Sequence, residues 1–172
     1  MSTPTWSARP EHPDEAATVR RILLDAFETA EEADLVDALR ADEAAWLAPF
    51  SYVTVAPDGE PVAQALLTRC HVGDTPALAL APCAVLTAWQ RQGAGGAAIR
   101  GALAAARAAG ERTVVVLGHP AYYPRFGFAS ASGFGITPPA GQEWPDEAFL
   151  ALALDGGALP RGEVRYAAPF GI

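Results

Sequence analysis

The part of the chain that most restricts its fold is residues 78–117, which predict a strand, a glycine loop, a helix and a second strand. Residues 78–86 are apolar throughout, as expected of a strand buried on both faces. Residues 90–96 carry three glycines and lead into an alanine-rich helix, predicted for residues 97–109 and ended by Gly110. Residues 113–117 are β-branched and apolar, which indicates another buried strand.

The glycine loop has the properties of a phosphate-binding site. Glycines just before a helix leave several backbone N–H groups unobstructed, and the helix dipole adds partial positive charge there. We therefore expect a phosphate-bearing ligand to lie against the loop. The loop residues predicted to contact it are Arg91, Gln92, Gly93, Ala94, Gly95 and Gly96.

Other interpretations of these glycines fit less well. Residues 93–98 match the dinucleotide pattern G-x-G-x-x-G/A, but that motif leaves its strand directly and needs an acidic residue after the next strand. Here residues 87–92 intervene, and the next strand runs into Gly118-His119 without an acid. The G-K-S/T of a nucleoside-triphosphate loop is also missing. An ordinary turn into a helix remains as the alternative without a ligand.

The rest of the chain adds helices and strands on both sides of this segment. Apolar spacing and turn residues predict a strand at 5–9, a helix that starts within 12–15, a second helix at 31–41, a hairpin of strands 51–56 and 61–72, a long loop at 129–143, a strand within 147–154 and an edge strand at 162–166. The length suits one domain, residues 1–172.

The charge composition disfavours two classes of partner. The chain has 12 basic and 20 acidic residues and a net charge of −8, which disfavours nucleic acid and acidic membranes as partners. It has no apolar run long enough for a membrane span and no signal-peptide pattern at its start, so a cytoplasmic location is expected. Cys70 and Cys83 are expected to be reduced thiols, and the scattered histidines argue against a metal site. A homodimer is left open.

Two motifs together resemble a known superfamily. Residues 90–95, Gln-Arg-Gln-Gly-Ala-Gly, match the Q/R-x-x-G-x-G/A acetyl-CoA signature, and residues 123–128, Tyr-Pro-Arg-Phe-Gly-Phe, match a Y-x-x-x-G-F element. With their spacing and element order, the sequence resembles the GNAT superfamily of N-acetyltransferases, in particular its bacterial YhbS-like branch. The resemblance implies an α/β (α+β) fold: a mixed, mostly antiparallel sheet of six or seven strands, helices on both faces, and strands 4 and 5 splayed apart.

The resemblance also implies a cofactor and catalytic roles. Acetyl-CoA would donate the acetyl group without a metal, its pantetheine arm pairing with the strand edge at Cys83, Ala84 and Val85. Tyr123 would be the acid that protonates the departing thiolate. The alternative is a purely structural role, as an aromatic residue at the edge of the core. The acceptor would be a small amine or a protein amino group that attacks the thioester directly.

The general base is where the sequence departs from the pattern. Many relatives carry a glutamate on the fifth strand, but residues 113–117 have none. His119 is a candidate base, unless it only caps the backbone of its loop. Other candidates for the base or for binding the amine are Glu31, Glu32 and Asp34, and Tyr122 is a candidate wall of the pocket. The alternative for the three acids is that they only form the solvated face of a helix. Because the strand glutamate is missing, a non-catalytic acyl-CoA-binding or regulatory module is the alternative function.

Overall fold

The computed structural model describes residues 6–172, which form nine strands and three α-helices. The helices are α1 (Ala16–Ala26), α2 (Glu31–Arg40) and α3 (Ala94–Ala108). The strands are β1 (Ser7–Pro10), β2 (Ser51–Val55), β3 (Pro61–Val72), β4 (Thr75–Val85), β5 (Thr113–Leu117), β6 (Ala129–Ser130), β7 (Ile136–Thr137), β8 (Phe149–Ala153) and β9 (Gly162–Arg165).

The strands form one mixed sheet in the order β1-β2-β3-β4-β5-β8-β6, with β9 beside the end of β3 and β7 beside β9. All pairs are antiparallel except β4–β5 and β7–β9. The predicted fold class, a mostly antiparallel mixed α/β sheet, is confirmed.

Helices cover both faces of the sheet, as predicted, because alternate residues of β3 point to opposite faces. Leu67 packs with Ile99 and the other buried residues of α3. Leu66 packs on the other face with Ile22 of α1 and Leu39 of α2. Each helix presents a buried apolar stripe to the sheet, which is why these amphipathic segments are helical here.

Three sequence predictions outside the glycine loop differ from the structure. The segment 129–143 is not a plain loop, because Ala131 and Ile136 are buried and anchor β6, β7 and the 3₁₀ turn Ala131–Phe134. The two added strands raise the count from six or seven to nine. The first strand begins at Ser7, and Thr5 of its predicted range lies outside the described residues.

The sheet opens at its centre, which confirms the expected splay. β4 and β5 pair only at Leu78↔Val114 and Ala79↔Val115. Beyond Ala79, β4 is bulged, since two residues, 81 and 82, stand opposite Leu66 alone. From residue 80 to residue 85, no described strand pairs with β4 on the side of β5.

Candidate functional site

The glycine loop turns sharply into α3 just past the open end of β4. Arg91 has φ +63° and Gly93 has φ +90°, the left-handed region that an L residue such as Arg91 rarely adopts. Gly93 directly precedes α3, whose first residue is Ala94, so the helix begins three residues earlier than the predicted Ala97. Gly95 therefore lies in the first turn of the helix, where N–H groups have no partner within the helix.

Gly95 and Gly96 have close neighbours in this turn, and the tighter restriction is at Gly95. A Cβ at Gly95 would lie 3.0 Å from Cγ2 of Val85 and 3.7 Å from the Tyr122 hydroxyl. A Cβ at Gly96 would lie 3.1 Å from Nη1 of Arg100. Larger side chains at these positions would crowd the walls of the space in front of the N–H groups.

Two tryptophans hold the loop in place, a role that the sequence did not indicate. The indole Nε1 of Trp6 donates a hydrogen bond to the Gln92 carbonyl oxygen at 2.7 Å. Trp6 and Trp89 pack edge to face with ring centroids 5.5 Å apart. The Gln90 amide donates to the Val85 carbonyl at 3.1 Å and ties the loop to the end of β4.

A cavity of about 460 Å³ lies in front of the first turn of α3. It is lined by Val85, Trp89, Arg91, Gly93, Ala94, Gly95, Gly96, Arg100, Tyr122 and Arg125. Six of the nine residues predicted to contact the cofactor are in this lining. Of the other three, Ala84 packs toward α1 and α2, Gln92 uses its carbonyl on Trp6, and Cys83 lies beside Tyr123.

Tyr123 sits at the open end of β5, in the 3₁₀ turn Tyr123–Phe126. Its ring covers Gly118 so closely that a Cβ there would be 2.2 Å from Cε2 of the tyrosine. Burial, and then the neighbouring Cys83, raises the pKa of Tyr123 above its ordinary value, so the phenol keeps its proton. Burial raises the pKa of the Cys83 thiol to about 12, and its contact with the Tyr123 hydroxyl opposes this.

Tyr122 belongs to the same cavity as the glycine loop. Burial raises the pKa of its phenol, and the Arg125 guanidinium stacks 4.4 Å from its ring centroid. Tyr122 and Tyr123 pack edge to face, with centroids 5.1 Å apart. The two phenols therefore stand side by side, one facing the glycine loop and the other facing β4 at Cys83.

His119 is exposed and forms a local hydrogen bond. Its Nδ1 accepts the backbone N–H of Ala121 at 3.3 Å. In a neutral imidazole, an accepting Nδ1 means that Nε2 carries the proton. The lone pair that a general base needs is therefore on Nδ1, where it already accepts the N–H of Ala121.

The predicted acidic candidates separate into two groups. Asp34 forms an ion pair with Arg20 at 3.0 Å on the outer face of the helix pair. Glu31 and Glu32 line an open pocket of about 290 Å³, whose other wall is formed by Pro169 and Phe170. The sequence did not indicate that the C-terminal segment would reach α2.

Within residues 6–172, no helix has the length and apolar character needed to cross a membrane. In the same part of the chain, no three histidine, cysteine or acidic side chains come together as ligands for a metal ion.

A protein-family model and a related protein both show similarity to acetyltransferases. The model of the acetyltransferase (GNAT) family matches residues 16–128. The uncharacterized N-acetyltransferase YjhQ of Escherichia coli (strain K12) is 38% identical over 123 residues, which cover 69% of this chain and 67% of that protein.

Two solved structures are similar over nearly the whole chain. The N-acetyltransferase YhbS from Escherichia coli, in complex with CoA, aligns with a TM-score of 0.85 and 27% identity and covers 100% of this chain and 95% of its own. A GNAT family acetyltransferase from Brucella melitensis, in complex with acetyl-CoA, aligns with a TM-score of 0.77 and 33% identity and covers 96% and 98%.

Proposed function

The chain belongs to the GNAT family of acetyltransferases, and we propose that it transfers the acetyl group of acetyl-CoA to a primary amine by direct attack of the amine. The observation that carries this proposal is the 460 Å³ cavity where the first turn of α3, the end of β4 at Val85 and the Tyr122 ring meet. The two related structures that contain CoA and acetyl-CoA support the choice of donor.

The shape and chemistry of the cavity suit coenzyme A. The N–H groups at residues 93–96 are suited to the diphosphate, and the close contact with Val85 explains why no side chain stands at Gly95. The unpaired edge of β4 at residues 83–85 offers main-chain groups to the amides of the pantetheine arm. A main-chain N–H near Val85 would stabilise the oxyanion formed when the amine attacks.

Tyr123 is the proposed acid. The thiolate of coenzyme A must gain a proton as it leaves, and a phenol whose pKa is raised by burial keeps its proton until then. The hydroxyl already lies beside a sulfur atom, that of Cys83, on the strand along which the pantetheine arm is proposed to run.

The acceptor would enter from the side of α2. Glu31 and Glu32 line a cavity there, and one carboxylate oxygen of Glu32 is buried without a hydrogen-bond partner. Because carboxylates favour a cationic ligand, this wall suits the ammonium group of a small amine or of a protein. A cytoplasmic location is part of the same proposal.

The general base is assigned to this acidic wall, acting through water, or to His119. His119 would first have to release the N–H of Ala121. Glu32 needs no such rearrangement, because its buried oxygen has no partner to give up.

Thiol release from acetyl-CoA, measured with a panel of amines, peptides and aminoglycosides, tests the proposal. Turnover with at least one amine is expected, and a Gly95→Leu variant is expected to lose at least tenfold in CoA affinity because leucine would fill the cavity. Tight binding without turnover for any amine would instead favour an acyl-CoA-binding module. Unchanged CoA affinity in a folded Gly95→Leu variant would remove the cofactor from this loop.

A further inference from the structure

A second groove, of about 230 Å³, opens beside the main cavity along the outer face of α3. It is lined by Arg100, Leu103, Ala104, Arg107, Arg125 and Phe126. Arg100 and Arg125 line both spaces, so the groove continues the main cavity.

The charge at this place is opposite to that of the chain as a whole. The net charge is −8, yet neither space is lined by an aspartate or glutamate. Several arginines elsewhere pair with carboxylates, as Arg69 does with Glu111 at 2.8 Å. Arg100, Arg107 and Arg125 have no carboxylate partner among the described residues. Three uncompensated guanidinium groups around one groove favour an anionic ligand.

Uncharged contacts hold two of these side chains at the groove. Arg100 lies over the Phe126 ring, 4.9 Å from its centroid. Arg125 lies over Tyr122, and its Nε donates to the Tyr122 carbonyl at 2.9 Å. These contacts hold both side chains at the groove without neutralising their charge.

Arg107, the third arginine of the groove, lies further along α3. Arg107 follows Arg100 by seven residues, which is two turns of helix and places both on one face of α3. The Nε of Arg107 donates to the Leu154 carbonyl at 2.6 Å. Both terminal nitrogens of Arg107 and of Arg125 are left for a ligand.

We propose that Arg100, Arg107 and Arg125 bind the 3′-phosphate of coenzyme A. This inference rests on the proposed function, because it takes acetyl-CoA as the donor. The N–H groups of the glycine loop can hold the diphosphate, but the phosphomonoester on the ribose carries a further charge near −2. Arginine recognises such a group through paired N–H donors. The protein would thus distinguish coenzyme A from carriers that end in phosphopantetheine.

Titration calorimetry with CoA and with 3′-dephospho-CoA tests the inference without any acceptor. The wild-type protein should bind CoA at least about tenfold more tightly than dephospho-CoA. Arg107→Met should reduce this preference severalfold and leave the dephospho-CoA affinity unchanged, because Arg107 lines only the groove. Arg112→Met is the matched control, because it removes the same charge from a side chain that is 80% exposed and lies outside both spaces. This variant should retain the full preference for CoA.

The outcomes separate this inference from the donor assignment. Equal affinity of the wild-type protein for CoA and dephospho-CoA would overturn the arginine site while leaving acetyl-CoA as donor. The same loss in Arg107→Met and Arg112→Met would also overturn it, since overall charge would then explain the effect. Failure of the folded wild-type protein to bind either compound would overturn the proposed function and the arginine site with it.

Discussion

Replacing Gly118 with alanine should slow catalysis by displacing Tyr123. The new Cβ would lie 2.2 Å from Cε2 of the tyrosine, whereas ordinary contact begins at 3.4 Å, so the ring must move by about 1.2 Å. The backbone of Gly118 is held by its N–H bond to the Ala148 carbonyl at 2.9 Å, and its φ lies outside the left-handed region. The ring is therefore expected to move, and alanine itself is tolerated by the backbone.

The size of the effect follows from this displacement. A misplacement of about 1 Å in a catalytic group can cost about 10²-fold in rate. We expect kcat to fall by about that factor, with CoA affinity within about threefold of wild type, because the glycine loop is untouched. Crowding the core edge should also lower the free energy of unfolding by about 1–3 kcal/mol.

Steady-state thiol release, calorimetry with CoA and thermal unfolding measure the three effects. Gly133→Ala is the matched control, because Gly133 has no atom within 4 Å of the new Cβ and no left-handed φ. In a Tyr123→Phe background, Gly118→Ala should lower kcat little further, since the hydroxyl is already gone. A folded Gly118→Ala enzyme with kcat within about threefold of wild type would refute the proposed role of the Tyr123 position.

Three more changes probe the same fold and site. Tyr123→Phe should retain CoA affinity while kcat and kcat/KM fall together by about 10²–10⁴, and a fall of less than threefold would assign the proton transfer to water. Glu15→Gln should destabilise the protein at pH 7, because Arg9 holds the pKa of Glu15 at about 2. This stabilisation is present above the ordinary pKa of 4.5 and is lost toward pH 2, so the unfolding curves of the two proteins should converge there; a constant difference would contradict the assignment. His119→Ala should still show the rise in rate with increasing pH, because the Nδ1 of the native His119 is already bonded to the N–H of Ala121. Loss of that rise in the variant would make His119 the base.

The sequence predicted the centre of the fold well because the signals there are local. The apolar runs around residues 78–117 and the turn before Pro61 set the strands to within a few residues. The start of α3 was misplaced because Gly95 and Gly96 suggested a loop, whereas helix N-termini tolerate glycine when a ligand or a packed side chain needs the space.

The parts of the site that the sequence did not predict depend on contacts between distant residues. Trp6 bonds to Gln92 across 86 positions, and Phe170 lines the pocket at Glu31. No periodicity links such positions. The need for a glycine at position 118 likewise appears only once the Tyr123 ring is in place.

The short pairing of β4 with β5 divides the sheet into two blocks joined by a narrow seam. Only two residue pairs, Leu78↔Val114 and Ala79↔Val115, cross it. Buried side chains pack on both faces of the seam, Leu78 and Val114 in one cluster and Ala79 and Val115 in another, so the sheet is least protected just beyond it, at residues 80–85, where hydrogen bonds toward β5 are missing. Acetyl-CoA bound along residues 80–85 would bridge the two blocks and fill this gap. Amide hydrogen exchange in that segment would then report donor occupancy directly, before any acceptor is known.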